Sequence, residues 1–175
     1  MSSSTKLSRL ILAALFLAIA LILPLFTGQI PKVGEALLPM HFPILLCGFF
    51  CGPVYAGIAG FIAPLLRFLI FGMPPIFPKG IWMACELATY GLMSGLLYKI
   101  LPKKKASVYI SLIGAMLAGR IVWGVVKATV LGAGGSEFGM AAFITGGFVE
   151  AIPGIAIQII LIPIIVLAIK KNDFQ

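Results

Sequence analysis

Six long apolar runs, each closed by proline, glycine or a group of lysines, constrain this chain more than any other feature. Leu10 to Phe26 is the first, and Met40 to Phe71 holds two more, divided at Gly52-Pro53. Ile81 to Leu101, Ser107 to Leu131 and Phe138 to Ile169 follow. A membrane-crossing helix needs about 20 apolar residues, because hydrocarbon offers a backbone N–H or C=O no partner outside the helix itself. Only 10% of the 175 residues are charged and 61% are hydrophobic, where a soluble domain carries about 25% charged. Too few charges exist to cover a water-facing surface.

The expected fold is therefore all-α, an integral membrane bundle of six transmembrane helices forming a single domain over residues 1–175. Expected helix boundaries are 8–26, 40–52, 54–72, 80–101, 107–131 and 138–169, with helices two and three short. Proline breaks a helix and restricts the residue before it, which places a turn at Gly52-Pro53 and an interruption near Pro153-Gly154. Pro74, Pro75 and Pro78 make 72–80 a loop. The first run follows Lys6 and Arg9 as a signal peptide would, but no small-residue cleavage site follows it. It reads as a retained helix. These helices consume nearly all the length, leaving no room for a nucleotide-binding or extramembrane catalytic domain.

The formal charge of +8 does not point to nucleic acid, because the basic residues sit at the ends of the apolar runs. With six spans, one side collects Lys6, Arg9, Lys99, Lys103, Lys104, Lys105, Lys170 and Lys171, and the opposite loops hold Lys32 and Lys79. The positive-inside bias then puts both termini in the cytoplasm.

Ionisable groups inside spans are expensive and face a protein interior or a water-filled cavity. Five are present: Arg67, Glu86, Arg120, Lys127 and Glu150. Trp82, Glu86 and Thr89 recur at i, i+4 and i+7 with Tyr90 adjacent, and Arg120, Trp123 and Lys127 at i, i+3 and i+7. Such residues are stacked neighbours on one helix face. Each tryptophan thus shares a stripe with an intramembrane charge, and aromatic rings with a few polar groups describe a small-molecule pocket. The bland reading is that opposite charges pair as structural glue, Arg120 with Glu150 for example, and that Trp82 and Lys127 anchor at the membrane interface. Three bases against two acids leave one positive charge over, suited to a carboxylate or phosphate on a ligand.

His41 starts the second run and reads as a helix-entry residue. One histidine with scattered cysteines is too few for a metal site, and Cys47, Cys51 and Cys85 read as buried thiols. No Walker, GxSxG or HExxH motif occurs, and nothing supplies a nucleophile beside Glu86 and Glu150. Ala14 with Ala18, Gly91 with Gly95, and Ala115 with Gly119 are small-residue pairs that let helices or partners approach closely.

Leu38-Pro39-Met40-His41-Phe42-Pro43, Cys51-Gly52-Pro53-Val54-Tyr55-Ala56-Gly57, Gly72-Met73-Pro74-Pro75 and Glu86-Leu87-Ala88-Thr89-Tyr90-Gly91 together resemble the substrate-binding S components of energy-coupling factor (ECF) vitamin transporters. The resemblance covers essentially the whole chain. It implies a high-affinity vitamin-binding subunit in the bacterial cytoplasmic membrane, partnered by a transmembrane coupling subunit and two ATPases. That subunit has no cofactor of its own, because its partners hydrolyse the ATP. By the same resemblance Ala14 and Ala18 contact the coupling subunit, and the first outer loop, Thr27 to Pro39 with Gln29, Lys32 and Glu35, is a lid. The family's pocket uses the outer halves of helices four to six, which Trp82, Glu86, Trp123, Lys127 and Glu150 match, and Arg67, Tyr90 and Arg120 join them as expected substrate-binding residues. The internal Met-Pro-Pro and Glu-Leu-Ala-Thr-Tyr-Gly look most like the group linked to pantothenate; riboflavin, folate, a thiamine precursor and pyridoxine stay open. Metal-uptake members begin with Met-His, a pair that is internal here. The competing classes are a stand-alone secondary transporter or small channel, and an intramembrane enzyme using Glu86 and Glu150. Transport in liposomes without partners would mark the first, and turnover lost in Glu86→Gln the second.

Overall fold

The computed structural model describes residues 3–27, 36–133 and 139–170, and every regular element among them is helical. We number the α-helices in chain order: α1 Ser3–Thr27, α2 His41–Cys51, α3 Pro53–Phe71, α4 Ile81–Ile100, α5 Lys105–Ala133, α6 Met140–Ile144 and α7 Ile152–Ile169. Gln29, Lys32 and Glu35, the expected lid residues, and Lys171 lie outside the described residues.

Four stretches are long and apolar enough to cross a bilayer: Lys6–Phe26, Pro53–Phe71, Lys105–Gly132 and Ile152–Ile169. At 11 residues, α2 rises only about 16 Å, about half the hydrocarbon thickness. It is the most enclosed helix, with nine of its residues buried. A short, largely apolar helix is stable here because protein covers it.

Backbone chemistry sets the helix ends. Gly52 stands at φ 92°, ψ 173° between α2 and α3, a conformation reserved for glycine. Pro53 then opens α3, where its missing N–H costs nothing. Gly72, at φ 71°, closes α3 in the left-handed conformation and donates its N–H to Phe68 O at 2.7 Å. Leu101 is extended before Pro102, ending α4.

Two connections differ in detail from the sequence expectation. The connection 72–80 is not wholly a loop: Ile76–Gly80 winds into one wide turn, with Phe77 extended at φ −111°, ψ 133°. The apolar run 138–169 is interrupted as expected, but ahead of Pro153-Gly154. It divides into α6, a wide turn Thr145–Val149 and α7, whose first turn contains Pro153.

The core seam runs between α2, α3 and α4. Gly91 lies against the Ala56 carbonyl, and Gly95 against the Gly52–Pro53 backbone, so tightly that a Cβ at either would overlap main-chain atoms. The Gly91/Gly95 pair therefore packs internally. Ala115 is buried in the core and Gly119 lies under the Tyr90 ring, so that pair is internal as well. Helix α1 packs on α2 and α3 through Ala13 and Ala20, while Ala14 and Ala18 are exposed beside Leu10, Ile11, Leu15 and Ile22.

Candidate binding pocket

Helices α1 to α5 each contribute to a cavity of about 490 Å³, within the usual range for a small-ligand site of about 300–1,000 Å³. Pro24 of α1, His41 of α2, Arg67 of α3, Trp82, Met83 and Glu86 of α4, and Arg120, Trp123 and Lys127 of α5 line it. The connections complete the wall with Leu38, Pro39, Met40, Met73, Pro74, Lys79, Gly146, Glu150 and Ala151. Seven of the eight residues singled out from the sequence are brought together here. Tyr90 is the exception. It is buried behind His41, with ring centroids 5.1 Å apart and edge to face, and supports the wall without lining it.

The floor is a buried ionic cluster. Glu86 Oε1 lies 2.9 Å from Arg120 Nη1 and 3.4 Å from His41 Nε2. The three residues are only 2–3% exposed. A buried carboxylate without a counter-ion would cost far more than it could recover, so α2, α4 and α5 are held in mutual register by this cluster. Arg120 pairs with Glu86 and not with Glu150, because α4 and α5 pack along their length whereas Glu150 sits on the irregular connection before α7. Glu150 is exposed on the pocket wall and makes no ion pair with a described residue.

Above the floor stands an aromatic box. The Lys127 ammonium is 4.5 Å from the Trp123 ring centroid and 5.6 Å from that of Trp82, within cation–π range. Trp123 also packs against Phe143 at 6.1 Å and over Gly146 and Gly147, whose missing side chains leave the room it occupies. At the rim, Arg67 Nη1 donates to Leu21 O at 2.6 Å and its guanidinium lies 5.3 Å from the Phe71 ring, tying α3 to α1.

His41 does start α2, but it is also part of the floor, a role that reasoning from helix position missed. A lone imidazole in an apolar run needs a polar partner, and the two intramembrane glutamates were the available signal. Lys79, Met40, Met73 and Met83 were missed too, because nothing in their spacing separates them from ordinary loop and core residues. The pocket is also wider than helices four to six, drawing on α1, α2 and α3.

The fold and cavity define a class: a small helical membrane protein that encloses a ligand-sized space lined by opposed charges and aromatic rings. Residues 8–166 match the family model of the ECF transporter substrate-specific component. The chain belongs to that family, and is a multi-pass membrane subunit of a transporter and not an enzyme. Family membership also implies association with the other subunits of an ECF transporter. Neither a curated protein nor a solved structure matches it significantly.

Proposed function

We propose that this subunit captures a water-soluble vitamin with a carboxylate at high affinity, in the cavity between Glu86, Arg120, Lys127, Glu150 and the two tryptophans. Pantothenate is the first candidate. Among the described residues, four cationic side chains and two carboxylates line the cavity, a balance that favours an anionic ligand. Glu150, exposed on the wall, offers acceptors for hydroxyl or amide N–H groups. A pantothenate-sized molecule carries both kinds of group. That meeting of intramembrane charges around one void is the observation that carries the proposal.

The topology proposed with it is six crossings, α6 and α7 together making the last, with both termini cytoplasmic and the pocket facing outward. The short α2 spans within the protein jacket. The segment before α2 closes over the ligand, its described part already seated on α7 by close packing of Ala36 and Leu37 on Gly154 and by Gln158 Nε2 donating to Leu38 O at 3.5 Å. The exposed Ala14 and Ala18 meet the transmembrane coupling subunit, which two ATPases drive. This subunit needs no cofactor.

The only two tryptophans of the chain both line the cavity, so tryptophan emission reads the pocket. Purified protein in detergent is expected to bind one pantothenate, with a saturable change in emission and one bound mass by native mass spectrometry. No response to any of a panel of vitamins would defeat the proposal. In cells, Ala14→Leu with Ala18→Leu should abolish uptake while leaving binding intact.

A further inference from the structure

The buried arginine of the pocket floor is only partly used. Nη1 of Arg120 makes an ion-pair contact with Glu86 Oε1 at 2.9 Å, whereas Nε and Nη2 have no hydrogen-bond partner in the structure, although both are buried. These two nitrogens form the side edge of the guanidinium, with parallel N–H bonds spaced to meet the two oxygens of a carboxylate. Leaving such donors buried and unmet carries their full desolvation penalty, which is larger for a charged group. A binding protein recovers that cost when its ligand arrives.

The other cations are differently placed. Arg67 has a nitrogen bound to Leu21 O, and Lys127 lies over two indole rings. Arg120 is 3% exposed, so an anion reaching it leaves water behind and interacts at low dielectric. Its Nη1 lies beside Glu86 Oε1, the same oxygen that His41 Nε2 approaches at 3.4 Å. A dianionic phosphate would meet Glu86 at the same place. A monoanionic carboxylate needs two donors, and two are free.

We infer that the Nε–Nη2 edge of Arg120 is the seat of the ligand's carboxylate, with the rest of the ligand extending past Trp123 and Trp82 toward Glu150. This rests on the vitamin-binding reading above. Both nitrogens are covered, so seating the carboxylate displaces a covering side chain. Trp123, 5.9 Å from the guanidinium, would report that movement in its emission.

The test compares pantothenate with its neutral alcohol analogue, in which a primary hydroxyl replaces the carboxylate, on the purified full chain. Wild type is expected to prefer pantothenate about 100-fold. Arg120→Lys keeps the charge but lacks the fork, and should reduce that preference to about 5-fold or less, chiefly by weakening pantothenate. Lys127→Met and Arg67→Gln should weaken both probes alike and keep the preference. A preference that survives Arg120→Lys, or one that collapses in Lys127→Met, overturns the assignment. Should Arg120→Lys not fold, the preference measured in Arg67→Gln, Lys79→Gln and Lys127→Met decides. Its survival in all three supports the seat, and its collapse in any one overturns it. If wild type binds neither probe, the pantothenate reading fails by itself. The seat is then tested with whichever panel vitamin binds and its carboxamide, and a tight ligand with no anionic group overturns it.

Discussion

The two ends of this bundle use cationic side chains to opposite purpose. At the pocket end, Arg120, His41 and Glu86 are buried and under-satisfied, two arginine nitrogens and both imidazole nitrogens having no hydrogen-bond partner. At the other end the lysines are spent on the fold. Lys103 Nζ donates to Tyr98 O at 2.9 Å and lies 3.6 Å from the Tyr98 ring centroid. Lys170 Nζ donates to Phe49 O at 2.8 Å and lies 4.6 Å from the same ring. Those ammonium groups satisfy carbonyls at helix ends, where a cation is favoured by the helix dipole. Charge that is satisfied locally closes a structure, and charge left wanting opens one to a ligand.

That contrast can be broken experimentally, beginning where the effect should be greatest. Glu86→Ala would strand Arg120 in a buried site, and should cost about 3–5 kcal/mol of stability. Thermal unfolding in detergent measures it, and an unchanged transition would mean that the cluster does not hold α2, α4 and α5 together. Next comes Gly95→Leu, which forces a side chain into the Gly52–Pro53 backbone. It should destabilise by about 1–3 kcal/mol or prevent folding, seen as loss of monodisperse protein. Lys170→Met should cost about 1 kcal/mol and leave ligand affinity unchanged. A fall in affinity there would erase the distinction between the two ends. Smallest of all, Ala14→Leu on the exposed face of α1 should shift stability by less than about 0.5 kcal/mol. A large loss would show that this face is packed within the subunit.

The helices were legible because lipid imposes a length and proline or glycine marks the ends. Gly52-Pro53, Gly72 and Pro102 end elements where their backbone chemistry requires it. The break between α6 and α7 was expected a little later, at Pro153-Gly154. Proline is tolerated in a first helical turn, so the chain breaks ahead of it, in the wide turn through Gly146 and Gly147. Seven of the eight residues singled out from the sequence line the cavity, because the energetics of a charge in hydrocarbon admit few positions and both tryptophans share a helix face with those charges. Tyr90 went the other way, being adjacent in sequence to a pocket stripe yet turned behind it. His41 was underrated, since a single residue at a helix start carries no periodicity.

The sequence alone determined that this chain is a helical membrane protein and that its intramembrane charges lie on faces shared with both tryptophans. Those follow from local rules, since burial cost and helical spacing act within one segment. Only the tertiary structure decided the pairing: Arg120 with Glu86, His41 behind them, Glu150 left facing the void. Which charges meet depends on how α2, α4 and α5 come together, and glycines far along the chain, at Gly91 and Gly95, set how closely α4 meets α3.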